Sequence, residues 1–236
     1  MRRLSRKFGT FLIVAGIATL AWAFTVWAWQ DPFTNVYTRW EQHRLAQRYD
    51  KLFNSYQPIA RTTTSLVAAK HELRVEARRY RASARRGEAI GRISVPRIGI
   101  DMVLVNGTDH DTLKKGPGRD LRSAMPGQGK LVYIAGHRAT YLAPFSHIDR
   151  LQRGDHVTLR MPYATLVYSI TGHRVVADND LSVLKNHGYE QVELQACHPR
   201  FFAAHRYIAY GKLIAMKKRG APAGISATAL AAAAQS

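Results

Sequence analysis

The chain has 236 residues, with 46% hydrophobic and 22% charged, which suits one fair-sized packed domain plus extensions and excludes a disordered chain. A formal charge of +19 excludes an indifferent surface and points to an anionic partner: nucleic acid, anionic lipid or an anionic wall polymer. The single cysteine, Cys197, excludes an internal disulfide framework and any structural zinc site built on two or more cysteines.

Residues 1–32 read as a basic cytoplasmic stub and a transmembrane signal-anchor. Arg2, Arg3, Arg6 and Lys7 precede an uncharged stretch from Phe8 to Trp29. A bilayer core takes about 20 apolar residues as a helix, and positive charge before the span holds the N-terminus in the cytoplasm. Trp22, Trp27 and Trp29 gather toward the outer end, where indoles favour the interface, and Asp31-Pro32 breaks the helix. A cleaved signal peptide is the competing reading, but its apolar region is shorter, and the loose match at Ala21-Trp22-Ala23 lies inside the apolar run. Either way the remainder lies outside the cytoplasm. Nucleic acid is then not an expected partner, and membrane and envelope polymer are.

Residues 33–89 are polar and basic, with apolar positions at near-helical spacing. Pro58 separates helical candidates over 35–56 and 60–85, and Arg78, Arg79, Arg81, Arg85 and Arg86 read most simply as a solvated face. The segment is expected to be a helical stalk that holds a domain off the membrane. From residue 90 to 216 the texture changes to short β-like runs. Strands are predicted over 98–105, 130–135, 156–161, 164–170, 191–197 and 207–215. The run 156–161 alternates cleanly, with Val157, Leu159 and Met161 on one side. Gly-Pro-Gly at 116–118, Pro126-Gly127 and Arg153-Gly154-Asp155 mark turns, and many short strands at this spacing argue for a β-barrel or sandwich. The Ala-, Gly- and Ser-rich tail within 217–236 is expected to be disordered.

Cys197 ends an alternating strand in which Val192, Leu194 and Ala196 share one face and Glu193, Gln195 and Cys197 the other. The thiol thus falls on the more polar face, and His198, Arg200, His205 and Arg206 follow within nine residues. Cationic surroundings favour a thiolate; the plain alternative is a small buried apolar residue. His137 follows the apolar run 131–135 and Gly136, which delivers an imidazole at a strand end; it reads equally as an exposed turn residue. Acyl transfer needs a nucleophile, an acid for the leaving amine and a positive group for the oxyanion. Cys197, His137 and Arg206 meet those needs, with an edge-strand arginine as the plain reading of Arg206.

These motifs resemble one known family. The stretch from Ile134 through His137 and Tyr141 to Phe145, with Ile148-Asp149 and Leu151 followed by Gly154-Asp155, is similar to the histidine motif of sortases, class E in particular. Leu194-Gln195-Ala196-Cys197-His198-Pro199 with Arg206 downstream resembles the sortase cysteine motif. Upstream, residues 93–100 and 113–118 resemble the first strands of that domain.

The resemblance implies a mainly β fold: a closed eight-stranded sortase-type barrel over 90–216, preceded by the transmembrane helix and the helical stalk. It implies a membrane-anchored cysteine transpeptidase. Cys197 attacks the Thr–Gly carbonyl of an LPxTG- or LAxTG-type sorting signal, and an amine of a peptidoglycan precursor or a pilin lysine resolves the acyl-enzyme. His137 is the acid/base and Arg206 steadies the oxyanion or the substrate. Ala196, Tyr141 and Pro199 are the substrate-binding expectations. Class E members prefer Ala in the second position of the signal and belong mainly to high-GC Gram-positive bacteria. Where the family usually carries Thr directly before the cysteine and often four before it, this chain has Ala196 and Glu193.

Other classes fit less well. L,D-transpeptidases place His-Gly before the cysteine, and papain-like peptidases place the cysteine before the histidine. A non-catalytic tethered scaffold that binds anionic wall polymer is the alternative that needs no chemistry. No acidic cluster or histidine pair suggests a metal, and no cofactor is expected.

Overall fold

Eight strands close on themselves in the order β1-β2-β3-β4-β7-β8-β6-β5 in the computed structural model, which describes residues 2–29, 32–59 and 66–220. The strands are β1 (Ala89–Val95), β2 (Ile100–Asn106), β3 (Gly118–Arg119), β4 (Leu131–Ala135), β5 (His156–Arg160), β6 (Ala164–Ala177), β7 (Gln191–His198) and β8 (His205–Lys218). Pairing is antiparallel except at β2–β3 and β4–β7. The parallel β4–β7 pair matters most, because it sends two strand ends out of the same rim.

Alternation predicts the inside of the barrel well. On β5, Val157 and Leu159 are fully buried, while His156 and Arg160 are exposed. On β7, Val192, Leu194 and Ala196 join Val132, Ile134 and Leu166 in the core. Closure leaves no open sheet edge to pair with other chains. The six predicted strands are present, though the first starts at Ile100 after a 3₁₀ turn at Pro96–Ile98, and β1 and the short β3 lie outside the predicted runs. The β1 strand adds a partner for both β2 and β5. The β6 and β8 strands each run 14 residues, and register shifts at Val167/Tyr168 and Ile170/Gly172 accompany a broken inside–outside alternation on β8, while β6 keeps its own.

Three helices precede the barrel: α1 (Arg2–Trp29), α2 (Pro32–Ser55) and α3 (Leu66–Ser83). Within α1, Arg6–Thr25 is long and apolar enough to cross a membrane, and none of it is buried against the rest of the chain. The side chains of Trp27 and Trp29, and the break expected at Asp31, lie outside the described residues. Pro32 opens α2, where its missing N–H costs nothing.

The helices differ from the expected free-standing stalk. On α2, Leu45 and Tyr49 are buried, the Tyr49 hydroxyl donates to Arg160 O (2.8 Å), and Gln42 exchanges hydrogen bonds with the Val103 backbone. On α3, Leu73, Ala77 and Tyr80 belong to the barrel's own core, and Tyr80 donates to Ile90 O. Leu45, Tyr49, Leu73, Ala77 and Tyr80 are therefore a docking face, and α2 and α3 pack on the barrel. Arg78, Arg79, Arg81, Arg85 and Arg86 are exposed, although Arg81 reaches back to Leu121 O (2.9 Å) and Gln128. At the other end the strand β8 continues to Lys218, and residues 221–236, where most of the disordered tail is expected, lie outside the described residues.

Candidate active site

The β4 and β7 strands run parallel with Ala135 opposite Gln195, and the next amide, Gly136 N, donates to Gln195 O (3.0 Å). Two further steps of the same register bring residue 137 level with residue 197 at one rim of the barrel. Gly136 is required there: a Cβ would lie 2.6 Å from the Phe145 ring. On the other side of β7 the antiparallel β8 places Arg206 directly opposite Cys197. Since Ala196 points into the core, Cys197 points out of the barrel wall, and Arg206 shares that face.

The three expected residues meet in one cleft of ≈ 290 Å³, lined by His137, Cys197 and Arg206. Tyr133, Ala135 and Gln195 form the strand floor. Opposite them, Val183 and Leu184 from the β6–β7 connection pack on Tyr133 and Ile208. The cleft is thus an outward face of β4, β7 and β8 roofed by a loop.

Cys197 is half-buried. The Nε2 atom of His137 is buried and has no hydrogen-bond partner among the described residues. Burial, aided by His110, holds this imidazole below the usual range, so the neutral ring is favoured at neutral pH. Arg206 donates from Nη1 to Ala203 O (2.7 Å) and His205 O (3.0 Å), which ties its guanidinium to the β7–β8 turn.

The substrate-binding expectations fare differently. Tyr141 lies against His137, ring centroids 4.9 Å apart. Ala196 does not reach the cleft, because the strand alternation turns its side chain into the core. Pro199 is exposed on the turn beyond Cys197 and is not among the lining residues. Glu193, in the place of the family threonine, is buried beneath Arg174 (3.3 Å) and accepts from Gln191 (2.7 Å). Burial raises its carboxyl, and Arg174 opposes that.

Two features went unread in the sequence. Arg138 is buried and donates from Nη1 to Cys197 O (3.3 Å), shares a 2.9 Å hydrogen bond with His198 Nδ1, and pairs through Nη2 with Asp149 (3.0 Å). The loop carrying Tyr141 has three successive left-handed residues, Tyr141, Leu142 and Ala143, and two of their amides donate to Thr34 Oγ1 (3.1 Å) and Asn35 Oδ1 (2.7 Å) of α2.

A family model, the sortase domain, matches residues 93–214, more than half of the chain. The chain belongs to the sortase family. It is 33% identical over 132 residues to Sortase D of Bacillus subtilis (strain 168), covering 54% of this chain and 65% of that protein. Sortase SrtE1 of Streptomyces coelicolor is 29% identical over 109 residues, 42% of this chain and 31% of that one. A solved Sortase D5 transpeptidase from Clostridium perfringens superposes with a TM-score of 0.58 at 25% identity, over 74% of this chain and 98% of its own. The chain spans just under two thirds of the Bacillus relative's length. Sortases are cysteine transpeptidases, and the closed eight-stranded barrel is the fold typical of them.

Proposed function

We propose that the chain is a membrane-anchored transpeptidase that cleaves a C-terminal sorting signal between Thr and Gly and joins the new acyl end to an amine. The observation that carries this reading is the convergence of the chain's one thiol, a buried imidazole and a guanidinium in a single cleft.

In this reading the Cys197 proton moves to His137 Nε2 as sulfur attacks the threonine carbonyl carbon. The tetrahedral oxygen carries the negative charge, which Arg206 offsets. His137 returns the proton to the departing glycine amine as the C–N bond breaks, leaving a thioester on Cys197. The acceptor amine then attacks the thioester carbonyl, gives up a proton to His137 and expels the thiolate, which is reprotonated. Peptide-bond exchange results, with no redox step and no net hydrolysis. Tyr141, packed on His137, limits the ring's motion and borders the bound signal.

The finer parts of the proposal rest on sequence features. Arg2, Arg3, Arg6 and Lys7 before the apolar span favour a cytoplasmic N-terminus and an extracytoplasmic barrel at the cell membrane of a Gram-positive bacterium. The histidine-motif stretch and the likeness to SrtE1 support class E, hence a Leu-Ala-x-Thr-Gly signal. The acceptor is a peptidoglycan-precursor amine or a pilin lysine.

The test uses the full-length chain in vesicles, with fluorescent Leu-Ala-x-Thr-Gly and Leu-Pro-x-Thr-Gly peptides and a glycine-terminated amine. Amine-linked product in wild type, lost in Cys197→Ala and His137→Ala and greater with the Ala signal, is the expected result. Product that survives Cys197→Ala overturns the proposal, and preference for the Pro signal overturns class E alone.

A further inference from the structure

The rim that holds the cleft is also where the first turn of α2 is pinned. Thr34 and Asn35 bind the backbone of Tyr141 and Leu142, four and five residues after His137. Among the described side chains the apolar span runs to Thr25, and the uncharged stretch continues to Trp29. Residues 26–29 and 32–35 are helical, so the path from Thr25 to Asn35 reaches at most about 21 Å, taking the helical rise and three fully extended steps from residue 29 to residue 32. The base of the barrel, where β7 begins, is a further eight-residue strand away, about 25 Å. A short tether to the rim therefore makes the rim the membrane-proximal end.

That rim carries an unusual turn. Beyond Cys197, Phe202 N donates to Pro199 O (3.0 Å), and the turn leaves Phe201 53% and Phe202 67% exposed. Phe201 sits at φ 72°, a left-handed conformation that a bulky side chain rarely adopts. Two adjacent phenyl rings held out in water, one by a strained backbone, are not explained by packing within the chain. A cation lies against them: the Arg200 guanidinium sits over the Phe201 ring, 5.0 Å from its centre. Aromatic rings beside basic groups suit the headgroup layer of an anionic bilayer, where rings enter the interface and cations meet phosphate.

We propose that the cleft mouth is the membrane-facing end of the domain, and that the turn Pro199–Phe202 seats Phe201 and Phe202 in the headgroup region of an anionic bilayer. This inference rests on the proposed anchoring by α1. It gives the site a partner, the lipid surface, and has the Cys197 cleft meet signals and amines at the height of the bilayer.

The test places the photoreactive residue benzoylphenylalanine at position 202 or at position 189 of the full-length chain. Tyr189 is exposed too, 43%, but lies at the start of β7, at the opposite end. Each protein is reconstituted in phosphatidylcholine–phosphatidylglycerol vesicles, irradiated and analysed by mass spectrometry for lipid adducts. Retention through an alkaline carbonate wash is measured on the same samples. At least fivefold more lipid adduct at 202 than at 189, in washed membranes, is expected. Retained protein with equal or lower adduct at 202 overturns the inference and leaves the transpeptidase reading intact. Protein released by the wash overturns the anchor and the inference with it.

Discussion

Arg138 donates from Nη1 to the carbonyl oxygen of Cys197 across 3.3 Å, so the residue next to His137 grips the strand end that carries the thiol. Asp149 holds the same guanidinium at 3.0 Å, and His198 Nδ1 lies 2.9 Å from it. Arg138 is buried, Asp149 is half-exposed, and the contacts are charge-assisted, the stronger kind of hydrogen bonding. It ties the segment that carries His137 to the strand end that carries Cys197.

Arg138 is accordingly a positioning residue. Arg138→Gln is expected to lower kcat by at least about tenfold while KM stays within about twofold, because misplacement costs rate more than binding. Arg138→Lys keeps the charge without the fork and recovers only part of the rate. Steady-state kinetics, with the pH dependence of Cys197 alkylation, check this. A displaced imidazole shifts the alkylation profile, whereas simple loss of stability leaves it in place.

His137 also ties stability to pH. Its folded value lies below the unfolded imidazole value of about 6.5, so the unfolded chain binds more protons in the intervening window. The contribution is complete above about pH 6.5 and is lost as pH falls through the folded value. Thermal melts of wild type and His137→Gln between pH 8 and 5 are expected to converge toward acid, with wild type losing more. Parallel curves contradict the assignment.

The loop over 141–143 is strained and externally held. Left-handed backbone costs about 1–2 kcal/mol per non-glycine residue, and Leu142 has φ 61°. Asn35→Ala removes the acceptor for Leu142 N and is expected to cost about 1–2 kcal/mol in urea denaturation. Leu142→Gly relieves strain at the same place and is expected to recover part of that loss in the double variant.

Glu193 is structural in this fold. Glu193→Ala leaves Arg174 without its carboxylate. Because Arg174 is 37% exposed, water limits the cost to about 1–2 kcal/mol. Glu193→Gln is expected to cost less, because it keeps an acceptor for Gln191. Denaturation midpoints at pH 7 rank the two.

Much of this architecture is legible in the sequence, for local reasons. The 2.0-residue period of β5 and β7 is written in Val157, Leu159, Val192, Leu194 and Ala196, and the same period puts Cys197 outside the barrel. The thiol, the imidazole and the arginine are found by chemistry and order. Tertiary relations hide the rest. Nothing local marks Arg138 in the sequence, because its partners Asp149 and the Cys197 carbonyl are brought to it by the fold. The docking of α2 depends on Gln42, Tyr49, Thr34 and Asn35, polar side chains whose partners lie about 60 to 110 residues away. Ala196 stands where the family usually carries a Thr that could meet substrate, yet the strand period that turns Cys197 outward buries it. The roof of the cleft, Val183 and Leu184, belongs to a connection with no period to read.

The most direct measurement is the mass of the full-length chain quenched during turnover of a Leu-Ala-x-Thr-Gly peptide, with the adduct located by fragmentation. A hydroxylamine-sensitive gain equal to the Leu-Ala-x-Thr acyl group, placed on Cys197 and absent from Cys197→Ala, is predicted. Peptide cleaved with no acyl group on Cys197, or cleaved equally by Cys197→Ala, contradicts the account.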